Sequence, residues 1–195
     1  MYFAAIYDFY IIFKYEILLL FSTVLMAQNS PAEEFWHNLQ DHCGKSYEGT
    51  IRQGMGNDDF DGKTLIMHVR SCEENEIRIP FFVGENRSRT WILRLQDGKI
   101  QLKHDHRKPD GSEDKITQYG GTASNTGLAN IQVFPADEET AELIPVAATN
   151  VWWITLNEDI FSYNLKRIGS KSNFTVEFDL TKSLETPEAP WGWEE

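Results

Sequence analysis

From residue 46 to residue 181, apolar side chains recur at every second position in short runs separated by turn residues such as Asp97-Gly98. A period of two is typical of β-strands, because successive side chains point to opposite faces of a sheet. About ten short strands joined by mostly tight turns predict an antiparallel meander, whose edges have to be protected by closure or by folding over. We therefore expect an all-β fold closed into a barrel, with a two-sheet sandwich as the alternative.

Helices are expected at two places. The stretch NSPAEEFWHNLQDHCGK opens with Ser30 as a cap, Pro31 at the first helical position and Glu33 completing a capping box. This N-terminal helix would close one end of the barrel. The stretch ADEETAELIP predicts a short helix between late strands. The predicted organisation is a single barrel domain at 28–183, followed by an acidic tail at 184–195 that is rich in Pro and Trp.

Residues 1–27 are predicted to be a targeting segment and not a part of the fold. Lys14 precedes an apolar run from Ile17 to Ala27, and small and polar residues follow. This order is typical of a secretory signal peptide, and the run is shorter than the roughly 20 residues that span a bilayer. The segment is predicted to be a signal peptide or an uncleaved anchor. We expect an exported protein, periplasmic or secreted, that contacts a membrane only if the segment stays attached.

The charge and the two cysteines add constraints. A formal net charge of −12 argues against nucleic acid as a partner, because such binding needs clustered Lys and Arg. Like charge also keeps neighbouring copies apart, so a monomer is expected.

Cys43 lies at the end of the first predicted helix and Cys72 at the end of a strand. In an oxidising compartment they would form one disulfide that clamps helix to sheet; two thiols are the alternative.

The Asp97-Gly98 turn sets the register of the hairpin around it. Asp-Gly between two alternating runs predicts a two-residue type I′ turn, which pairs Gln96 with Lys99. Pairing then continues outward, and one face of the sheet collects the following pairs: Leu95 with Ile100, Leu93 with Leu102, Trp91 with His104, and Arg89 with His106. This apolar face is predicted to point inward, so that both histidines continue it toward one rim.

The next turn, KPDGS, can be read as a five-residue loop that pairs Arg107 with Glu113 and His106 with Asp114. The register one residue shorter would oppose Asp105 and Asp114, which is unfavourable. The longer loop predicts a cluster of Arg89, His106 and Asp114 at the inner rim.

That cluster allows several chemistries. The candidate ligand-binding residues are Arg89, Trp91, Leu93, Leu102, His104, His106 and Asp114. Two histidines and a carboxylate suit a metal, but the nearby arginine would repel a cation, so no metal is expected. The cluster is better suited to an anionic group of a ligand, or to acid–base work by His106 oriented by Asp114. The third possibility is that these polar groups only satisfy one another.

Two resemblances add to these predictions. The short helix, the stretch GKSYEG entering the first strand and the long meander resemble calycin-type barrels, the lipocalin, fatty-acid-binding and nitrobindin-like folds. The stretches CGKSYEG, IPFFVGENRSRTW and LKHDHRKPDGSEDKITQYGG look more closely like a family of uncharacterised exported bacterial proteins. The first resemblance implies small-molecule binding by analogy, and the second implies a bacterial, exported setting. No histidine follows His106, so the haem-ligating histidine of nitrobindin-like barrels has no counterpart, and the cofactor is left open.

Three functions follow as hypotheses. The first is a barrel that binds a small apolar or carboxylate-bearing molecule. The second is an enzyme that uses His106, Asp114 and Arg89 in the same cavity. The third is a structural envelope protein with a filled core.

Overall fold

The structure, a computed structural model, describes residues 28–54, 60 and 62–193. The expected signal segment at 1–27 lies outside the described residues. Over the described residues the chain forms eleven strands, two α-helices and a 3-10 helix at Pro145–Ala147. The helices are α1 (Pro31–Gln40) and α2 (Glu138–Leu143). The strands are β1 (Ser46–Gln53), β2 (Leu65–His68), β3 (Ser71–Cys72), β4 (Glu76–Val83), β5 (Asn86–Gln96), β6 (Lys99–His106), β7 (Tyr119–Thr122), β8 (Ile131–Pro135), β9 (Asn150–Leu156), β10 (Ile160–Arg167) and β11 (Asn173–Leu184).

The strands form one antiparallel sheet. Ten of those described follow the order β7-β6-β5-β4-β2-β1-β11-β10-β9-β8, and β3 pairs with β4 beside this path. The sheet curls into a nearly closed barrel, which confirms the predicted all-β meander with its two helices and is compatible with a calycin-like layout. The first and last strands lie side by side, since β1 pairs with β11 from Ser46 opposite Leu184 to Gln53 opposite Thr175.

The two edges of the sheet, β7 and β8, meet at a seam. The Asp137 amide, just after β8, donates to the Gly120 carbonyl of β7 at 3.0 Å. The hydroxyl of buried Thr140, on α2, bonds the Gly120 amide at 2.7 Å and its carbonyl at 2.9 Å. Gly121 lies so close to the Pro135 carbonyl that a Cβ atom would collide with it. The seam therefore closes through a helix cap and glycine backbone instead of a regular ladder.

Helix α1 begins as its sequence predicts. The Ser30 side chain accepts from the Glu33 amide, and the Glu33 carboxylate accepts from the Ser30 amide, which together make the capping box. The first-turn carboxylate also gains from the helix dipole. Hydrogen bonds to the Glu33 carboxylate from the Ser30 amide and then from the Ser30 side chain lower the pKa of Glu33.

Helix α1 covers one end of the barrel. Phe35, Trp36 and Leu39 are buried, and the Trp36 indole donates to the Glu74 carbonyl at 3.2 Å. After the helix, Cys43 is joined to Cys72 of β3 in a disulfide with Cα atoms 6.3 Å apart. Within the described part of the chain, neither helix combines the length and apolar character needed to cross a membrane.

The C-terminal segment lies along the outside of the barrel. The Trp191 amide donates to the Arg87 carbonyl at 3.1 Å, and the Arg87 guanidinium pairs with Glu188. Trp193 packs under the Arg70 guanidinium, 4.9 Å from the ring centroid. The tail therefore lies against the barrel wall, with Pro190 buried.

Candidate functional site

A cavity of about 250 Å³ lies at the barrel end opposite α1. The aromatic part of its wall consists of Phe81, Trp91, His104, Trp152, Tyr163 and Phe174. Its mouth is formed by Phe60, Arg89, His106, Tyr119, Asn150 and Arg167. Aliphatic side chains complete the lining, among them Ile144 and Ala147 from the connection between β8 and β9. The barrel is thus packed at one end and hollow at the other.

The hairpin that carries the predicted site has the predicted register. Every pair from Gln96 opposite Lys99 to Arg89 opposite His106 is present, so this prediction is confirmed. The turn adopts the expected left-handed backbone, with φ of 51° at Asp97 and 70° at Gly98. Arg89, Trp91, His104 and His106 consequently reach the cavity together.

His104 lies at the inner end of the cavity in a fixed tautomer. Its Nδ1 lies 3.0 Å from the Tyr119 carbonyl oxygen, which can only accept, so Nδ1 carries the proton. Its Nε2, 2.7 Å from the Tyr163 hydroxyl, then accepts. Burial lowers the pKa of His104 to about 3, so the imidazole is neutral at pH 7. The Tyr163 hydroxyl therefore donates its hydrogen bond to His104.

His106 stands beside Arg89 at the mouth. Its Nε2 lies 3.1 Å from the Tyr119 hydroxyl. Burial, and then the positive charge of Arg89, lower the pKa of His106 to about 4. Burial also raises the pKa of Tyr119 to about 12, so this hydroxyl stays protonated. At neutral pH neither imidazole carries a charge, and the charge of the described lining comes from arginine.

Arg89 and Arg167 supply that charge from opposite walls. Arg89 belongs to β5, and its guanidinium carbon lies 5.7 Å from the Phe60 ring centroid. Arg167 ends β10, and its Nε donates to the Asn150 side-chain oxygen at 3.0 Å. The two strands face each other, because Trp91 of β5 stacks on Tyr163 of β10 at 4.4 Å. Among the described residues that line the cavity, none is acidic.

Four of the cavity residues that sequence reasoning missed come from the β9–β10 hairpin. Trp152, Tyr163, Asn150 and Arg167 all line the cavity, and none was among the predicted site residues. The sequence feature that could have identified them is again the alternation of apolar side chains on either side of a turn. The turn at Asn157 to Asp159 pairs β9 with β10 as far as Asn150 opposite Arg167. Applying the hairpin rule to this second turn would have placed both aromatic rings on the inner face.

Asp114 does not join the predicted cluster. Its side chain is exposed and accepts from the Ile116 amide at 3.1 Å, while His106 bonds Tyr119 instead. The Arg107–Glu113 pair forms as predicted, and two residues back along β6 Tyr119 lies opposite His104. The arrangement of His106 oriented by Asp114 for acid–base work is therefore not assembled.

The chain bulges between these two pairs because side chains satisfy its backbone. The Thr117 hydroxyl accepts from the His106 amide at 2.8 Å, and Gln118 turns the backbone with a φ of 58°. The Asp105 carboxylate accepts from the Arg107 guanidinium and from the Gln118 side-chain amide.

Leu93 and Leu102 occupy a different place from the other candidates. Both are fully buried in the packed core and are not part of the cavity lining. Within the residues that the structure describes, no three His, Cys, Asp or Glu side chains are grouped so as to hold a metal ion. Of the seven candidates, the cavity brings together Arg89, Trp91, His104 and His106.

Fold and site together define an antiparallel β-barrel with an aromatic, positively charged cavity at one end. Comparison of the chain with protein-family models, with curated proteins and with solved structures gives no match.

Proposed function

We propose that the protein binds a small molecule with an apolar body and a carboxylate in the cavity at the open end of the barrel. The observation that carries this proposal is the charge of the lining. Two guanidiniums, neutral imidazoles and no described acidic side chain surround an aromatic cavity, in a chain whose formal net charge is −12. A positive cavity in an acidic protein favours an anionic ligand.

The arginines suit a carboxylate for a physical reason. A guanidinium presents donors in a planar fork that matches the two oxygens of a carboxylate. Its charge acts at reduced dielectric inside the cavity, where attraction is stronger than in water. The neutral histidines and the Tyr119 hydroxyl add hydrogen-bonding capacity without competing charge.

The size of the cavity limits the ligand. Ligand-binding cavities usually enclose roughly 300–1,000 Å³, so a volume of about 250 Å³ lies just below the usual range. It corresponds to roughly eight water molecules at ~30 Å³ each. A ligand with about ten non-hydrogen atoms fits this space, and a long acyl chain would extend out of the mouth.

We further propose that the protein is an exported bacterial monomer of the family that its motifs resemble. The signal-like order of residues 14–27 and the Cys43–Cys72 disulfide support export, because disulfides persist in oxidising compartments. Fractionation of the source cells, with the intact mass of the recovered chain, tests this. A full-length chain found in the cytoplasm with two free thiols would refute it.

The binding proposal is tested by removing one charge from the cavity. Hexanoate and its neutral isostere hexanamide are titrated into the wild-type protein and into Arg89→Met by calorimetry. We expect hexanoate to bind the wild type more tightly than hexanamide. Arg89→Met should weaken hexanoate binding at least tenfold, because a hydrogen bond to a charged group contributes about 1.5–3 kcal/mol.

Arg52→Met is the charge-matched control. Arg52 lies on β1, is exposed, and pairs with Glu177 away from the cavity lining. Its replacement removes the same charge and should leave hexanoate binding unchanged. Equal weakening by both substitutions would mean that net charge and not the cavity governs binding, and the proposal would fail.

A further inference from the structure

We propose that the ligand is a compact aromatic carboxylate: one ring, with the carboxylate attached directly or through one carbon. This inference rests on the proposed function and specifies its ligand. It is carried by the arrangement of the rings in the cavity wall.

The rings on one side of the wall form a continuous stack. Trp91 lies against Phe81 with centroids 4.9 Å apart and planes 15° apart, and against Tyr163 at 4.4 Å and 13°. Stacked rings cover one another's faces. Trp91, stacked on both Phe81 and Tyr163, is left with its ring edge to present to the cavity that it lines.

A second stack extends from the inner end of the cavity to its mouth. His104 and Tyr119 lie with centroids 4.6 Å apart and planes 10° apart, and His104 is bonded at both nitrogens. Hydrogen bonds and stacking hold these rings in place before any ligand arrives. The wall is thus a preorganised surface and not an adaptable one.

Ring edges select for aromatic ligands electrostatically. An aromatic ring carries positive charge at its edge and negative charge on its faces, so edges in a wall attract the face of another ring. A saturated ring of the same size has no such face. The same positive edges are also compatible with carboxylate oxygens.

The rigidity of a small aromatic acid also favours it as the ligand. A flat ring with one carboxylate loses few internal rotations on binding, whereas a flexible acyl chain loses several. Benzoate and phenylacetate match the cavity of about 250 Å³ in size. The arginines at the mouth would hold the carboxylate while the ring lies among the inner side chains.

The test compares two acids that differ only in aromaticity. Benzoate and cyclohexanecarboxylate have the same charge and nearly the same size. Both are titrated into the full-length protein by calorimetry at pH 7.5, with hexanoate and benzamide alongside. We expect benzoate to bind about tenfold more tightly than cyclohexanecarboxylate, since each edge-to-face contact contributes roughly a 2- to 12-fold gain. Benzamide, which lacks the charge, should bind more weakly than benzoate.

The possible outcomes distinguish the aromatic preference from the more general proposal that the cavity binds a carboxylate. If cyclohexanecarboxylate or hexanoate binds as tightly as benzoate, the aromatic preference is refuted and carboxylate binding stands. If none of the acids binds, or if benzamide binds as tightly as benzoate, both are refuted. Loss of benzoate binding in Arg89→Met, but not in Arg52→Met, places the aromatic acid in the cavity.

Discussion

His106 makes the stability of this protein depend on pH in a calculable way. Its pKa is about 4 in the folded protein, because of burial and of the Arg89 charge, and about 6.5 in an unfolded chain. The folded state thus prefers the neutral imidazole. The stability that follows is fully present above pH 6.5 and is lost as the pH falls from 6.5 toward 4.

The size of the effect follows from the same two values. At pH 5.0 the unfolded imidazole is protonated while the folded one is mostly neutral. Each pKa unit corresponds to about 1.4 kcal/mol, so His106 destabilises the fold by about 2 kcal/mol at pH 5.0 relative to pH 7.5. This is a large share of the 5–15 kcal/mol that typically stabilises a domain.

The assay is urea unfolding at pH 7.5 and pH 5.0 of the wild type, His106→Gln and His37→Gln. Glutamine can still bond the Tyr119 hydroxyl and does not titrate. The free energy of unfolding should fall by about 2 kcal/mol less in His106→Gln than in the wild type. His37 is exposed on α1, and its replacement controls for the loss of an imidazole. An equal fall in the wild type and in His106→Gln, or a His106 proton resonance that titrates near pH 6.5, would refute the reasoning.

Two further predictions concern the closure of the barrel. Gly121→Ala should destabilise the fold by about 1–3 kcal/mol in urea unfolding and speed hydrogen exchange at the Asp137 amide, because the added methyl displaces the Pro135 carbonyl at the seam. No effect would mean that the edges are farther apart than described. Replacing Cys43 and Cys72 together by Ala should lower the free energy of unfolding by about 3.5 kcal/mol, the value for a loop of about 30 residues. A double variant as stable as the oxidised protein would contradict the disulfide.

The sequence was most informative where structure is decided locally. The β5–β6 register could be predicted because Asp97-Gly98 accepts the left-handed turn and the apolar alternation fixes which face is inner. The α1 cap was equally local, since Ser30 and Glu33 lie three residues apart. Four of the seven predicted site residues reach the cavity for this reason.

The predictions failed where side chains competed with the ladder for backbone partners. Charge pairing predicted Asp114 opposite His106, and the Asp114 amide does donate to the His106 carbonyl at 2.9 Å. The Asp114 side chain, however, accepts from the Ile116 amide, and the Thr117 hydroxyl accepts from the His106 amide. Such side-chain bonds replace sheet pairing locally and leave no periodic signal. The seam at Gly120 could not be predicted either, because it joins the edges through a helix cap that hairpin rules do not describe.

The pairing of β1 with β11 also determines when this barrel can form during synthesis. The two strands are separated by more than a hundred residues, yet together they complete the middle of the sheet between β2 and β10. A nascent chain that has not yet released residues 173–184 from the ribosome must leave β1 with an unpaired edge. The barrel is therefore expected to assemble only after residues 173–184 have been synthesised, and slowly, as folds dominated by distant contacts do. The same pairing makes the loop at 123–130 a natural place for new termini, since a chain opened there, with a linker that joins residue 184 to residue 28, would bring β11 and β1 close together in sequence.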